Sequence, residues 1–363
     1  MRILYDSQIF SWQRHGGISR YFCELTYWIR KIPGTCVLFP RFAAENVYLK
    51  DQNFIRYFDT SRLPRFRGKR RLAHSLNKAA GLYKIVFDSF DVFHPTYYDT
   101  YFLPWVKEKP MVVTVYDMIH ELYPQYSTIS RKISTDKFNI VTRSTKVIAI
   151  SENTKRDLIK IFGIPEEKIS VIPLASAFHT VKSMPTSIPS KYLLYVGVRS
   201  GYKNFIPLLE SIAGLLGKEK ISLYCVGGGG FTAEELNSIS KLHLNGLLLQ
   251  HEVDDRELKF LYEHALAFVA PSLYEGFGVP LIEALQSGCP VVLSNASSHP
   301  EITKDAGTYF DPHDKESMLR AVEAMIFNPS KRDEAMHRGR EVGKEFSWEK
   351  TAMLTHEVYK SLI

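Results

Sequence analysis

The sequence predicts an α/β protein built from two Rossmann-like domains, each a doubly wound parallel sheet, facing each other across a cleft. Three observations carry that prediction. Short apolar runs alternate with helical patterns along most of the chain. The alternation stops once, in a stretch rich in Pro, Ser and Thr, and then restarts. The glycine-rich and charged motifs fall just after strands, where sheets of this kind bind ligands.

In the first half, strands are expected at Ile3–Tyr5, Asp91–His94, Val112–Val115 and Val147–Ile150. Helical patterns lie between them, including Ile18 to Ile32 and Ser151 to Phe162, and Ile169 to Pro173 closes this half. Ser176 to Ser190 holds Pro185 and Pro189 with no helical period and reads as a linker. Strands then resume at Leu193–Val196, Ser222–Val226, Leu247–Leu249, Phe268–Ala270 and Val291–Leu293. The expected domains are residues 1–175 and 176–346, with a final helix, 347–363, that returns to the first.

A chain of 363 residues can bury a substantial core in about two domains, and its apolar and charged fractions are those of a soluble globular protein. No apolar run reaches the roughly 18 residues a spanning helix needs. Met1–Asp6 reads as a strand running into a loop and lacks the apolar core of a signal peptide. The four cysteines lie far apart, which supports neither a zinc site nor a disulfide framework and points to a reducing cytosol.

Positive charge concentrates at Arg62, Arg65, Arg67, Lys69, Arg70, Arg71, Lys78 and Lys84, with Phe66, Leu72, Leu76, Leu82 and Tyr83 interleaved. Three partners fit such a stretch: an anionic membrane surface, water alone, or nucleic acid. The membrane surface is carried forward, which makes the protein peripheral on the cytoplasmic side, and nucleic acid is set aside.

The most informative motif runs from Pro271 to Leu285 and contains Glu275-Gly276-Phe277-Gly278-Val279-Pro280 and then Glu283. Gly276 and Gly278 allow close ligand approach, and Pro280 suits the first turn of a helix. The start of that helix directs unpaired N–H groups and partial positive charge at the turn, a seat for phosphate. Glu275 and Glu283 can accept hydrogen bonds from sugar or ribose hydroxyls. The alternative is a loop entering a core helix with both carboxylates in water.

Four further motifs follow strands. Gly16 and Gly17 open the first helix and could approach an oxyanion, or form an ordinary flexible loop. Gly197 to Asn204 places Arg199 and Lys203 where two cations could balance charge on a leaving diphosphate; a solvated helix start is the other reading. Val226 to Gly230, with Gly227 and Gly228, allows a nucleobase or ribose to lie against backbone, or is a mobile turn. Thr114 to Glu121 carries Asp117 and His120, either able to act on an acceptor hydroxyl or orient a donor sugar, and either able to cap a loop instead. His94 to Asp99 could line an acceptor site, although a structural histidine fits His94 better. No Asp pair separated by a single residue, of the kind that holds a metal on a diphosphate, no Walker loop and no Gly-x-Ser-x-Gly elbow is present.

Together these residues resemble the family 4 retaining glycosyltransferases, whose fold is GT-B. The resemblance runs from Tyr195-Val196-Gly197 through Leu258 and the Glu-x7-Glu segment to His299-Pro300-Glu301-Ile302 and Asp311-Pro312. It is looser in the first half, at Gly16-Gly17, Thr114 to Asp117 and Ile148 to Thr154. It implies that Glu275 lies beside the donor sugar and that Glu283 binds the nucleotide ribose. It implies that backbone of Phe277, Gly278 and Val279 holds sugar hydroxyls and phosphate. Arg199 and Lys203 would clamp the diphosphate, with Gly16 and Gly17 closing from the other domain. Many members carry His where this chain has Tyr116, which shifts the expected sugar-side or acceptor-side role to Asp117, then His120.

The expected function is a metal-independent transferase, without cofactor, that moves a hexose from a nucleotide-diphosphate sugar to a glycan or lipid-linked glycan hydroxyl with retention. Surface polysaccharide or lipopolysaccharide synthesis is the setting the resemblance suggests. Mannose from GDP-mannose is one candidate donor and UDP-sugars are others. The rival readings are a nucleotide-sugar epimerase of similar architecture and a non-catalytic nucleotide- or glycan-binding subunit.

Overall fold

Among the described residues, fourteen strands, each only three to five residues long, set the architecture of two separate units. The computed structural model describes residues 1–64, 66–126, 128–176 and 188–363, without the side chains of Asp51 and Arg62. Most of the expected linker, and Arg65 of the basic stretch, lie outside the described residues. One unit comprises Met1–Leu174 with Trp348–Ile363, and the other Ala175–Ser347.

In the first unit, β1 (Arg2–Tyr5) lies between β2 (Cys36–Leu38) and β5 (Val92–His94), all parallel. β6 (Val112–Val115), β7 (Lys146–Ala149) and β8 (Ile169–Val171) form a second parallel set. A bridge from Phe93 to Met111 joins the two sets, with the Phe93 N–H on the Pro110 carbonyl at 2.9 Å. β3 (Phe42–Ala44) and β4 (Tyr57–Asp59) pair only with each other. β1, β5 and β6 read as near-continuous apolar runs because both sheet faces are covered. Helix Glu152–Phe162 begins where Ser151 Oγ accepts the Thr154 N–H at 3.0 Å and ends at Gly163, whose φ of 65° suits the left-handed stop.

The final helix, Trp348–Lys360, belongs to this unit. Thr351 Oγ1 donates to the Pro173 carbonyl at 2.8 Å, and the Trp348 ring packs near Tyr21. Tyr359 OH lies 2.5 Å from His94 Nδ1 and 3.0 Å from Tyr5 OH. His94 is fully buried between that hydroxyl and Thr114 Oγ1, so it is structural and lines no acceptor site. The basic stretch forms the helix Lys69–Phe87. Lys69 pairs with Glu45, Lys78 with Asp99 and Lys84 with Asp88, so much of its charge is balanced. Leu72, Leu76, Tyr83 and Phe87 share one exposed face at helical spacing.

The second unit holds one six-stranded parallel sheet in the order β11-β10-β9-β12-β13-β14. The strands are β9 (Tyr192–Val196), β10 (Ser222–Val226), β11 (Leu248–His251), β12 (Ala267–Ala270), β13 (Val291–Ser294) and β14 (Gly307–Phe310). Leu193, Leu208, Ile212, Leu223, Val269 and Val292 are fully buried in its core. Each such side chain stabilises the fold by about 1.5–3 kcal/mol relative to exposure. The chain order reverses direction between β9 and β12, so a crevice opens beyond their carboxyl ends. Among the described residues no helix is long and apolar enough to cross a membrane.

Candidate active site

The two loops that flank this crevice carry Lys203 and Glu275. After β9 the chain turns through Gly201–Lys203, and Asn204 takes a left-handed φ of 57°. Asn204 holds that conformation by donating from Nδ2 to the Pro312 carbonyl at 2.8 Å. The loop after β12 is tied to it by the Leu273 N–H on the Tyr202 carbonyl, also at 2.8 Å. These bonds place Lys203 Nζ 2.6 Å from Glu275 Oε1, which also accepts from Ser272 Oγ at 2.7 Å.

The Glu275 backbone is fixed as firmly as its side chain. Its N–H donates to Ser297 Oγ at 3.1 Å, and its carbonyl accepts from Ser297 and Ser298. Ser297 sits at φ 59°, a strained conformation for a residue with a Cβ, and these bonds hold it there. Beneath them, Ser294 Oγ donates to the Ser272 carbonyl at 2.6 Å and meets His299 Nδ1 at 2.9 Å. Tyr195, Lys203, Ser272, Glu275, Gly278 and His299 line a small cavity. Burial pushes the Glu275 carboxyl up, but Lys203, His299 and the hydrogen bonds outweigh it and hold the pKa below the ordinary carboxylate value. Burial lowers His299 against the opposing pull of Glu275, which keeps the imidazole neutral near pH 7.

Helix Val279–Ser287 starts beside this cavity, with Pro280 in its first turn and Gly278 at φ 97° before it. A Cβ on Gly278 would meet Leu281 Cδ1 at 2.9 Å. The Leu281 N–H turns back to the Gly278 carbonyl at 2.9 Å, which tightens the first turn. No side chain caps the helix start, where Phe277, Gly278 and Val279 lie. Glu283 lies one turn further in, largely buried, with Tyr262 OH 3.4 Å from Oε2. It is not among the cavity's lining residues.

Arg199 corrects an expectation. Its guanidinium is not an open cation beside Lys203. Nε donates to Glu235 Oε1 at 2.8 Å, Nη1 to the Gly227 carbonyl at 2.9 Å, and Nη2 to the Gly229 and Gly230 carbonyls at 2.7 and 3.1 Å. The side chain is buried and stacks near Phe231. The cause is Glu235, whose other oxygen accepts the Thr232 N–H at 2.6 Å in the capping box of helix Ala233–Lys241. One carboxylate therefore closes a helix and neutralises the arginine, and the arginine gathers the carbonyls of the glycine turn. Gly227, Gly228 and Gly229 all have positive φ there. A Cβ on Gly228 would lie 2.7 Å from the Gly197 carbonyl, so only glycine fits this approach of two loops.

In the first unit, Asp117 Oδ1 accepts the Ile119 N–H at 3.0 Å, in the turn that leads into the short helix Ile119–Leu122. The fully buried Lys137 holds the same loop, with Nζ 2.9 Å from the Asp117 carbonyl and 2.8 Å from Glu121 Oε2. His120 Nδ1 lies 3.1 Å from Ser130 Oγ, and its pKa is lowered by burial, with Asp117 pulling the other way. Tyr116, which stands where a histidine is usual, packs among Tyr21 and Tyr98, and its buried hydroxyl has no hydrogen-bond partner among the described residues. Gly17 starts helix Gly17–Ile29, and a Cβ on Gly16 would collide with Gln13 Oε1 at 2.3 Å.

Ser272, Ser297, Ser298, His299 and Glu235 are site residues to which the sequence alone assigns no role. The run Asn295 to His299, directly after β13, is a signal for three of them. Among the described residues no group of three or more His, Cys, Asp or Glu stands together so as to hold a metal ion.

Residues 15–175 match the family described as Glycosyltransferase Family 4, and residues 184–342 match Glycosyl transferases group 1. This chain belongs to the family 4 glycosyltransferases, with the GT-B fold. The glycosyltransferase is 29% identical to O-antigen chain mannosyltransferase B of Escherichia coli over 279 residues, 72% of this chain and 73% of that protein. It is 28% identical to the O-antigen chain mannosyltransferase RfbU of Salmonella typhimurium over 217 residues, 58% of this chain and 59% of that one. Its fold is similar to that of HepE from Anabaena in complex with UDP and glucose, with a TM-score of 0.75, 16% identity and 99% of both chains covered. Sucrose-phosphate synthase from Thermosynechococcus elongatus gives the same TM-score at 18% identity, covering 99% of this chain and 98% of that one.

Proposed function

We propose that this glycosyltransferase moves mannose from GDP-mannose to a hydroxyl of a glycan or lipid-linked glycan, with retention and without a metal ion, in surface polysaccharide synthesis. The observation that carries the reading is the Lys203–Glu275 pair beside the open end of helix Val279–Ser287 at the sheet's crevice. The names of the relatives weigh toward mannosyl transfer, rather than epimerisation or binding alone.

In the proposed reaction the acceptor oxygen bonds to the anomeric carbon as the bond from that carbon to the diphosphate oxygen breaks. The nucleoside diphosphate leaves with the bonding electrons, and the acceptor's proton passes to a phosphate oxygen on the same face. Lys203 and the helix N-terminus stabilise the charge that develops on the diphosphate. Glu275, kept ionised by Lys203, accepts hydrogen bonds from sugar hydroxyls, and Glu283 from the ribose. Arg199 acts one step removed, by shaping the Gly227–Gly230 turn against which the nucleoside lies. The exposed apolar face of helix Lys69–Phe87 rests on an anionic membrane surface.

A thermal-shift screen of GDP-, UDP-, ADP- and TDP-sugars tests the donor. Selective stabilisation by GDP-mannose is expected, and none by any nucleotide sugar would remove the reading. EDTA leaves turnover intact if the metal-free assignment is right; abolition with rescue by Mg²⁺ contradicts it.

A further inference from the structure

A second cavity lies within the first unit, next to the Gly16–Gly17 turn. It is a groove of about 550 Å³ between helix Gln8–Trp12, β3 and the first turns of helix Lys69–Phe87. That volume suits a small saccharide. Phe10, Ala43, Ala44 and Ala73 give it apolar walls, and Trp12 stands at its side with an exposed ring, held edge-on to His74 at 5.6 Å. Flat, partly exposed aromatic rings present an apolar surface with a polar edge, which suits a sugar face.

Charge decides what else the occupant carries. Arg14, Arg70 and Arg71 line the groove and are exposed, and no described residue forms a salt bridge with any of them. The acid in the groove, Glu45, is engaged by Lys69 at 3.0 Å and by Thr60 Oγ1 at 3.3 Å. Lys69 is thus spent internally; Arg70 acts on Glu45 at longer range without a salt bridge, and the guanidinium groups of Arg14, Arg70 and Arg71 line the groove. Guanidinium forks suit phosphate oxygens. The exposed stripe of Leu72, Leu76, Tyr83 and Phe87 lies on a different face of the same helix from Ala73 and His74, which line the groove. Gln13, another wall residue, touches Gly16 and accepts the Ser19 N–H at 3.1 Å, so the groove reaches the diglycine turn.

We propose that this groove is an acceptor subsite for a phosphate-bearing saccharide, with a sugar ring on Trp12 and the phosphate on Arg14, Arg70 and Arg71. The proposal rests on the transferase reading above, which supplies the need for an acceptor. The phosphate could belong to a lipid-linked glycan, whose tail would follow the apolar stripe, or to a water-soluble sugar phosphate.

The test uses the full-length enzyme and the double variant R70Q/R71Q, whose side chains are exposed and whose fold is checked by its donor-induced thermal shift. Two acceptors are compared: a saccharide on farnesyl diphosphate in phosphatidylcholine vesicles, and a hexose 1-phosphate in solution. Inorganic pyrophosphate is titrated while tryptophan fluorescence is followed, with Trp12→Phe as the control. Pyrophosphate should change the signal in wild type, and that change should vanish in W12F and R70Q/R71Q. The acceptor KM should rise at least roughly tenfold in R70Q/R71Q, the loss expected for one charge-assisted contact. A rise confined to the farnesyl-linked acceptor assigns the phosphate to a lipid-linked source, and a rise with hexose 1-phosphate assigns it to a soluble one. Unchanged KM for both acceptors, with no Trp12-dependent response to pyrophosphate, overturns the subsite while leaving the transferase reading intact. Absence of any donor-induced shift in wild type would instead count against the transferase reading.

Discussion

Lys203 Nζ and Glu275 Oε1 lie 2.6 Å apart, and both side chains are largely withdrawn from water. The pair joins the loop after β9 to the loop after β12, so it fixes the width of the crevice as well as its charge. Lys203→Ala removes the counter-charge and leaves a buried carboxylate, a change that typically costs about 3–5 kcal/mol. Turnover should fall by about two to three orders of magnitude as diphosphate stabilisation is lost. Steady-state kinetics with the donor found in the thermal-shift screen checks this; wild-type turnover would remove Lys203 from the mechanism.

The same pair sets a pH dependence. The folded pKa of Glu275 lies below its unfolded value of 4.5. Its contribution to stability is therefore complete above that unfolded value and is lost as pH falls through the lower folded value. In Lys203→Met the Glu275 carboxyl should titrate at higher pH, because burial then acts with less opposition. Denaturation curves between pH 3 and 6 measure the difference, at about 1.4 kcal/mol for each pH unit separating the folded and unfolded titrations.

Arg199→Ala should act on donor affinity and stability more than on the chemical step, since its guanidinium binds the glycine-turn carbonyls and Glu235. The donor KM is expected to rise, with a smaller fall in kcat. A double-mutant cycle with Glu235→Gln should return a coupling energy within the range of about 0.5–3 kcal/mol for contacting residues. Additivity would mean that the bond between them contributes nothing.

Gly228→Ala places a Cβ at φ 75° and 2.7 Å from a carbonyl oxygen that cannot move without its loop. A loss of about 1–3 kcal/mol is expected, read as a lower midpoint in urea with unchanged slope. Gly17→Ala, where a Cβ meets nothing within 4 Å, is the contrasting substitution and should be far milder.

His94 is buried neutral, and burial holds its pKa down at about 3. Above its ordinary value of 6.5 neither folded nor unfolded chain protonates it, so its effect is constant. As pH falls from about 6.5 toward 3 only the unfolded chain takes the proton, and stability declines by up to about 1.4 kcal/mol per pH unit. His94→Gln should flatten this limb of a stability–pH curve. Tyr116→Phe, by contrast, should be neutral or mildly stabilising, because the hydroxyl it removes is buried without a partner.

Strands β1, β5 to β7, β9, β10, β12 and β13 are legible in the sequence because each is a largely buried apolar run, and β11, at the sheet edge, because it follows the run Leu247–Leu249. β3 and β4 are not: each has three residues, and they pair only with one another. β14 sits at the sheet edge with Gly307, Thr308 and Tyr309 half-buried, so no apolar run announces it. The Glu275 turn and the helix after it are legible because glycine and proline constrain the backbone directly. Arg199 misleads for a plain reason. Charge and position are visible in the sequence, but Glu235 lies 36 residues away and only folding brings it to the guanidinium. Ser297 and Ser298 escape notice because β13, which delivers them, follows the turn by a whole helix.

Tyr359, in the closing helix, completes a buried contact with Tyr5 and His94 near the other end of the chain. A ribosome would release the whole Ala175–Ser347 unit before the piece that finishes the earlier-made unit emerges. The six-stranded sheet can therefore mature during synthesis, whereas the first sheet waits, with His94 and Tyr5 uncovered, until helix Trp348–Lys360 has been made. Stalled or clipped chains should expose that half to chaperones and proteases while the other half survives intact.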